Sequence, residues 1–372
     1  MVTLHHTWRA TRERGAVCLL ASLLAGLLAA LSPAALAESA PDAEARALLL
    51  AQRLNADAAG FRRALALAER AMMETPDLAS AWTTLAWTRM QEHRFADALA
   101  AAEKAQALAG DDPVNLALMC DALVELGRYP DAVATAQRLI DLRPGPPAWI
   151  RGARLRFLHN DLPGAIALMT QAAQGGGRGE AAAWTWLELS QLHLHAGDAA
   201  AAEAALAAAR RAQTDLAALL PAEARLSLAR GGREAALKLY RLALAAQPNA
   251  EDALAAWRLA RQLGRDGVAR HQAALLDGIA RLDGAVLSRR ALADYFADSG
   301  RAEQAVVLVR QEFAARPDIY SHASLARALA STGAASDMSE ARHHARLALA
   351  LNTPDPALRA KLDAILAQGS KP

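Results

Sequence analysis

Six glycines, Gly127, Gly197, Gly231, Gly264, Gly300 and Gly333, recur at intervals close to 34 residues. The interval from Gly127 to Gly197 spans two periods, and Asn160 stands at the missing beat. Ala132, Ala202, Ala236, Ala269 and Ala305 each lie five residues beyond one of these glycines, and Ala165 lies five beyond Asn160. A turn residue followed at fixed spacing by a small residue, repeated at this period, describes a chain of stacked helical hairpins. Each hairpin packs only on its neighbours, so the stack grows without a single central core. Such a chain offers a long face in place of a closed pocket.

Length alone, at 372 residues, predicts two or three domains, and the repeat overrides that expectation. The chain is 53% hydrophobic but only 4% aromatic, with alanine supplying much of the excess. Alanine is the strongest helix former, so this is the composition of many closely approaching helices. No segment alternates like a strand over a useful length. The expected class is all-α.

Residues 1–37 read as a secretory signal. Arg9, Arg12 and Arg14 precede an apolar run from Ala16 to Leu31, which ends in Ser32-Pro33 and the small-residue motif Ala35-Leu36-Ala37. The run is shorter than the ~20 residues that span a bilayer comfortably, and an uncleaved anchor is the alternative. Cys18 opens the apolar run, which argues against lipidation there. Removing this segment takes away three Arg and one Glu, so 41 basic against 39 acidic residues become 38 against 38. That neutral balance argues against nucleic acid, which needs a basic stripe of Lys and Arg. Only Cys120 then remains, so no internal disulfide is possible and stability must come from packing. Cys120 falls at a small-residue packing position and is expected to be a buried hydrophobe.

The segment Pro113 to Pro144 displays the repeat most fully. Its first helix carries Leu116, Cys120 and Leu123, turns at Gly127-Arg128-Tyr129, and returns through Ala132, Ala136 and Leu139 to stop at Pro144. These units resemble the tetratricopeptide repeat family, which places a small residue midway in each helix, a glycine and an aromatic at the turn, and a proline after the second helix. The resemblance covers about Ala45 to Pro354. It implies a right-handed superhelical solenoid of about nine helix-turn-helix units. The expected organisation is a signal over 1–37, a linker over 38–44, the repeat solenoid over 45–354, and a capping helix and tail over 355–372. Turns are expected at Gly60-Phe61 in the first unit and at Asn160 in the fourth. Gly175-Gly176-Gly177-Arg178-Gly179 lacks the Lys-Ser or Lys-Thr ending of a phosphate loop and reads as a flexible insertion. The seventh unit lacks a closing proline, so its second helix is expected to run on towards Leu282. The ninth carries three extra residues near Ser336-Asp337-Met338.

Catalytic and metal-binding patterns are missing from the sequence. His193 and His195 are two apart and diverge on a helix, and the adjacent His343 and His344 diverge likewise. No H-E-x-x-H, cysteine cluster or recognisable Ser/His/Asp arrangement occurs. The expectation is a non-enzymatic protein without cofactor or metal.

In the resembled family the first helices line the inside of the superhelix. The position two residues beyond Leu85, Leu189, Leu292 and Leu325, with its counterparts one repeat apart, then yields a ladder of Trp87, Asp121, Arg154, Gln191, Arg225, Arg258, Asp294 and Arg327. Four of these eight are arginine in a neutral chain, and arginine's planar fork suits carboxylates. Acidic or C-terminal peptide segments are therefore the expected guests, centred on Arg154, Arg225 and Arg258. The competing expectation is that these arginines pair with carboxylates of neighbouring helices. Trp82, Trp149, Trp186 and Trp257 are expected between hairpins, with Trp87 and Trp184 as exposed anchors towards the groove. The expected function is a protein-interaction scaffold in the periplasm or cell envelope of a bacterium. Its partners would be proteins or peptides, without nucleic acid, and it would touch membrane only through an uncleaved signal. Alternatives are an accessory subunit of an envelope export or polysaccharide-secretion assembly and, more distantly, an enzyme with its site in the groove.

Overall fold

A residue that ends a helix by taking a left-handed backbone turns the chain sharply, and glycine or asparagine does so at least cost. In the computed structural model of the chain, residues 40–55, 58–213, 217–282 and 288–368 are described, and every expected beat has this conformation. The φ angle is 68° at Gly127, 65° at Asn160, 76° at Gly197, 80° at Gly231, 66° at Gly264, 80° at Gly300 and 73° at Gly333. His93, with φ 58°, supplies another beat one period before Gly127. At seven beats the following amide reaches back five residues, as in Arg128 N–H to Leu123 O (2.8 Å) and Arg265 N–H to Ala260 O (2.8 Å). That bond satisfies a carbonyl the helix end would leave unpaired.

The described residues form 19 α-helices and no strand. The first helices of the nine hairpins are α1 (Ala40–Asn55), α3 (Ala79–Gln91), α5 (Pro113–Glu125), α7 (Pro146–Leu158), α9 (Glu180–His195), α11 (Leu219–Ala229), α13 (Ala250–Gln262), α15 (Arg289–Asp298) and α17 (Ile319–Ser331). Their partners are α2 (Ala58–Glu74), α4 (Phe95–Ala109), α6 (Tyr129–Leu142), α8 (Leu162–Gly175), α10 (Ala199–Ala212), α12 (Arg233–Ala246), α14 (Asp266–Ala280), α16 (Ala302–Ala315) and α18 (Ala335–Leu349). A last helix, α19 (Pro356–Ala367), follows as expected. Four second helices, α2, α6, α12 and α16, stop two residues before Pro76, Pro144, Pro248 and Pro317, because the residue before proline avoids the helical backbone.

Alanines five residues past each beat (Ala98, Ala132, Ala165, Ala202, Ala236, Ala269 and Ala305) are all buried. Cys120 shows why this spacing demands small side chains. It is buried on α5 with its Sγ 3.7 Å from the carbonyl of Ala132 on α6, so the two helices meet almost backbone to backbone. Burial pushes its thiol up to about 12, as fits a packing residue.

The chain falls into two compact units. One lies within Met1–Leu155, Ala165–Leu189 and Ala208–Leu216, the other within Arg156–Gly164, Ser190–Ala207 and Ala217–Pro372. In unit one α1 to α6 pack in succession, and α1 with α3, and α3 with α5, also touch. In unit two α11 and α12, and α13 to α16 with α17 and α18, form hairpins, while α13 with α15, α15 with α17, and α17 with α19 touch along the first-helix row.

Several boundaries differ from expectation. Gly60 lies inside α2, so the first turn is not at Gly60-Phe61. Helix α1 begins at Ala40, within the expected linker. Residues 176–179 form a defined connection, in which Gly177 and Gly179 take φ of 70° and 98° and Gly179 N–H donates to Ala212 O at 3.1 Å. The extra residues of the ninth unit are helical: α18 starts two residues after Gly333, but its first buried alanine is Ala341, so the insertion adds close to one helical turn. Helix α14 ends at Ala280, short of Leu282. The signal over 1–37 lies outside the described residues. No helix among them is long and apolar enough to cross a membrane.

Candidate functional site

First helices touch one another in both units, so a side chain on that row meets the next hairpin before it meets solvent. In unit one this contact dominates. Arg46 Nε donates to Thr84 Oγ1 (2.9 Å), and Thr83 Oγ1 donates to Asn115 Oδ1 (2.7 Å). Arg151 Nη2 donates to Asp121 Oδ2 (2.5 Å), and Arg154 Nη2 to Glu125 Oε1 (2.7 Å). The first-helix row is stitched by polar contacts from α1 to α7.

Two expected groove residues are thereby withdrawn from solvent. Trp87, expected as an exposed anchor, is only 4% exposed, because α3 is covered by the first helices on either side as well as by its own hairpin. Asp121 is 2% exposed and serves Arg151, whose own side chain is 1% exposed. Arg151 also donates to Pro147 O (2.8 Å) and Ala117 O (3.3 Å), so its fork is fully used. Sequence reasoning missed Arg151, which lies three residues before the ladder position at Arg154 and therefore on nearly the same helix face. Arg154 keeps 34% side-chain exposure while engaging Glu125.

Trp184 is half-buried on α9, with its indole Nε1 3.4 Å from Glu180 Oε1. Gln191, on the second half of that helix, lies 3.2 Å from the ring of His195. His195 in turn meets Phe157 from the end of α7 at a tilt, with ring centroids 4.8 Å apart. Of the tryptophans expected in the core, Trp257 is buried and meets Tyr295 edge-on at 5.1 Å. Trp82 and Trp149 are half-buried, and Trp82 Nε1 donates to Pro76 O (2.7 Å).

Unit two gathers the remaining ladder residues. Arg258 Nε on α13 donates to Asp298 Oδ2 (2.7 Å), and its Nη2 lies 3.3 Å from Asp294 Oδ2, both acceptors on α15. From α17, Arg327 Nη2 donates to Asp298 Oδ1 (2.5 Å), and Nη1 lies 2.5 Å from Asp294 Oδ2. Lys361 of α19 completes the group at 3.5 Å from Asp294 Oδ2. Three cations therefore surround two carboxylates. Burial raises the Asp294 pKa, but Arg327, Lys361 and Arg258 outweigh it and hold the carboxyl below its usual range. Burial likewise lowers the Lys361 ammonium, with Asp294 opposing that shift.

Arg225 differs from the other three ladder arginines. It is exposed on α11 and makes no hydrogen bond or ion pair among the described residues. His195, Tyr240 and Asp252 lie within range of its charge. The ladder is thus two things at once. Arg154, Arg258 and Arg327 join hairpins, whereas Arg225 has its fork available.

Histidine positions that sequence spacing set aside are brought together differently. The rings of His343 and His344 meet edge-on with centroids 5.5 Å apart, and His344 also faces His322 of α17 with Nδ1 atoms 2.7 Å apart, while Phe313 lies edge-on to the His322 and His344 rings. Among the described residues, no group of three or more His, Cys, Asp or Glu side chains is disposed to hold a metal ion.

Residues 89–152 match the tetratricopeptide repeat family. No curated protein is similar to this chain in sequence. Among solved structures, human IFIT1, a dimer with PPP-AAAA, is similar at a TM-score of 0.56 and 14% identity, over 84% of this chain and 73% of that one. PilW, a widely conserved type IV pilus biogenesis factor, gives 0.47 and 17%, over 58% of this chain and 97% of that one. PilF of Pseudomonas aeruginosa gives 0.44 and 16%, over 54% and 91%. At these identities the likeness concerns the fold alone. The family match covers α5 and its neighbours, and the same left-handed beat, buried alanine and hairpin recur on both sides of it. Residues 89–152 are thus similar to the tetratricopeptide repeat family, and the all-α hairpin fold which that family implies continues on both sides of them.

Proposed function

We propose that this protein is a non-enzymatic scaffold that holds acidic segments of partner proteins on the first-helix row of unit two. The observation that carries the reading is Arg225: an exposed guanidinium without a hydrogen-bond or ion-pair partner among the described residues, where the other ladder arginines, Arg154, Arg258 and Arg327, are all paired. Arginine engages carboxylates through two parallel N–H donors, so a free fork on a preordered helix binds a carboxylate with little ordering cost. The excess of one cation over the carboxylates around Asp294 and Asp298 adds attraction of the same sign. Residues 1–37 read as an export signal, which supports the cell envelope of a bacterium as the setting.

Fluorescence anisotropy with Glu-rich and matched Lys-rich peptides tests this reading. The protein should prefer the acidic peptide, and Arg225→Glu should weaken that binding about tenfold, the equivalent of ~1.4 kcal/mol for one charge-assisted contact. Equal affinity for the two peptides, or an Arg225→Glu variant that binds as well as the parent, refutes it.

A further inference from the structure

The link between α18 and α19 reads Leu351-Asn352-Thr353-Pro354-Asp355-Pro356. Each residue in it has a defined task. Asn352 takes a left-handed φ of 54°, ends α18, and accepts a hydrogen bond at Oδ1 from Arg359 Nη2. Pro354 keeps Thr353 out of the helical region. Asp355 caps α19 by accepting from the amides of Ala357 (2.9 Å) and Leu358 (3.1 Å), with Pro356 at the first helical position.

This link also reaches the opposite end of unit two. Thr353 is 1% exposed, and its Oγ1 donates to the carbonyl of Leu158 at 2.7 Å, across 195 residues of sequence. Leu158 is the last residue of α7, whose final carbonyls have no partner within the helix, so the threonine hydroxyl fills a vacancy that the helix end creates. One residue earlier, Phe157 contacts the His195 ring. The charges of Asp355 and Arg225 both act on the His195 ring, which burial holds below its usual pKa. Further along, Lys361 reaches Asp294 on α15. Leu358, Leu362 and Ile365 bury the other face of α19 against α17 and α18. A terminal cap needs only that apolar face. The contacts to α7, α9 and α15 go beyond it and return the end of the chain to the start of the unit.

We propose that residues 353–361 act as a clasp that closes unit two on itself and sets the Asp355 carboxylate in the neighbourhood an acidic partner takes at Arg225. Clasp closure and partner binding then compete, and apparent affinity is reduced by the fraction of molecules that are closed. This inference rests on the acidic-segment reading given above. A hydroxyl-to-carbonyl hydrogen bond is strong enough to shift such an equilibrium by a factor of about 5–30.

The test uses the full chain, a fluorescein-labelled hexaglutamate peptide as probe, and amide hydrogen exchange over residues 157–161. Thr353→Val should bind the probe about 5- to 30-fold more tightly than the parent and exchange faster at 157–161. Thr353→Ser, which keeps the hydroxyl, should match the parent. Asp355→Asn keeps the helix cap while removing the charge, and should also tighten binding if Thr353→Val proves too unstable to measure. If Thr353→Val and Asp355→Asn bind like the parent while Arg225→Glu loses the probe, the clasp is overturned and the acidic-segment reading stands. If Arg225→Glu has no effect in the Thr353→Val background, or no variant binds the probe, that reading fails and the competition falls with it. Unchanged exchange at 157–161 in Thr353→Val overturns the closure itself.

Discussion

Asp121 and Arg151 form a buried ion pair between the third and fourth hairpins, with side-chain exposures of 2% and 1%. At 2.5 Å their attraction is about 7 kcal/mol at an effective dielectric of ~20, and the cost of taking both ions out of water is several kcal/mol each, so the pair nets little. Breaking it is a different matter. Asp121→Asn keeps the shape and leaves Arg151 as a buried cation whose remaining acceptors are the carbonyls of Pro147 and Ala117. An uncompensated buried charge typically costs about 3–5 kcal/mol, and the two carbonyls place the expected loss near ~3. Replacing both partners, Asp121→Leu with Arg151→Met, removes the charge and the desolvation cost together, and should be neutral or stabilising by about 1–4 kcal/mol. Urea unfolding followed by circular dichroism gives the loss. Native-state hydrogen exchange shows where it falls, because a repeat array can open locally without unfolding throughout. Protection should drop first in α5 and α7. The reasoning is refuted if Asp121→Asn costs less than ~1 kcal/mol, or if the double variant is as unstable as the single one.

Two further outcomes follow from packing and from histidine burial. Ala236→Leu adds three carbons where α11 and α12 meet with no exposure, and should cost about 1–3 kcal/mol in a denaturant melt; an unchanged midpoint would refute close packing of the two helices at this position. Burial, reinforced by His344, lowers the His322 pKa to about 4, and burial lowers His344 as well, so the unfolded chain binds more protons than the folded one below pH ~6.5. Stability should therefore rise between pH ~4 and ~6.5, by about 1–2 kcal/mol after discounting for partial exposure. Asp318, Glu340, His343 and Arg310 face these rings, and His322→Gln should flatten the slope measured by urea midpoints at pH 5 and 7.

The hairpin architecture was legible because it rests on local backbone chemistry. A left-handed residue, a small residue five places on and a proline after the second helix each act within a few positions, so their spacing survives in one sequence. Asn160 could be placed as a beat on spacing alone. His93 could not, since nothing in its side chain announces a positive φ. Gly60 misled for the opposite reason: glycine permits a turn without requiring one, and here it sits in α2. The site was legible only in part. Numbering along the row found Arg258, Asp294 and Arg327 together, but it could not tell which arginines face a neighbour's carboxylate, because each of those contacts joins residues 29–40 apart in the sequence.

The sequence by itself determined that the described residues are all-α, paired at a nearly fixed period, with small residues at most of the places where paired helices meet. Those properties depend on interactions within a hairpin, and their range is shorter than one repeat. The tertiary structure alone decided that Asp121 is buried against Arg151, that Arg225 keeps an unengaged fork, and that Thr353 reaches Leu158. Each depends on how one hairpin is set against another, which no single repeat encodes.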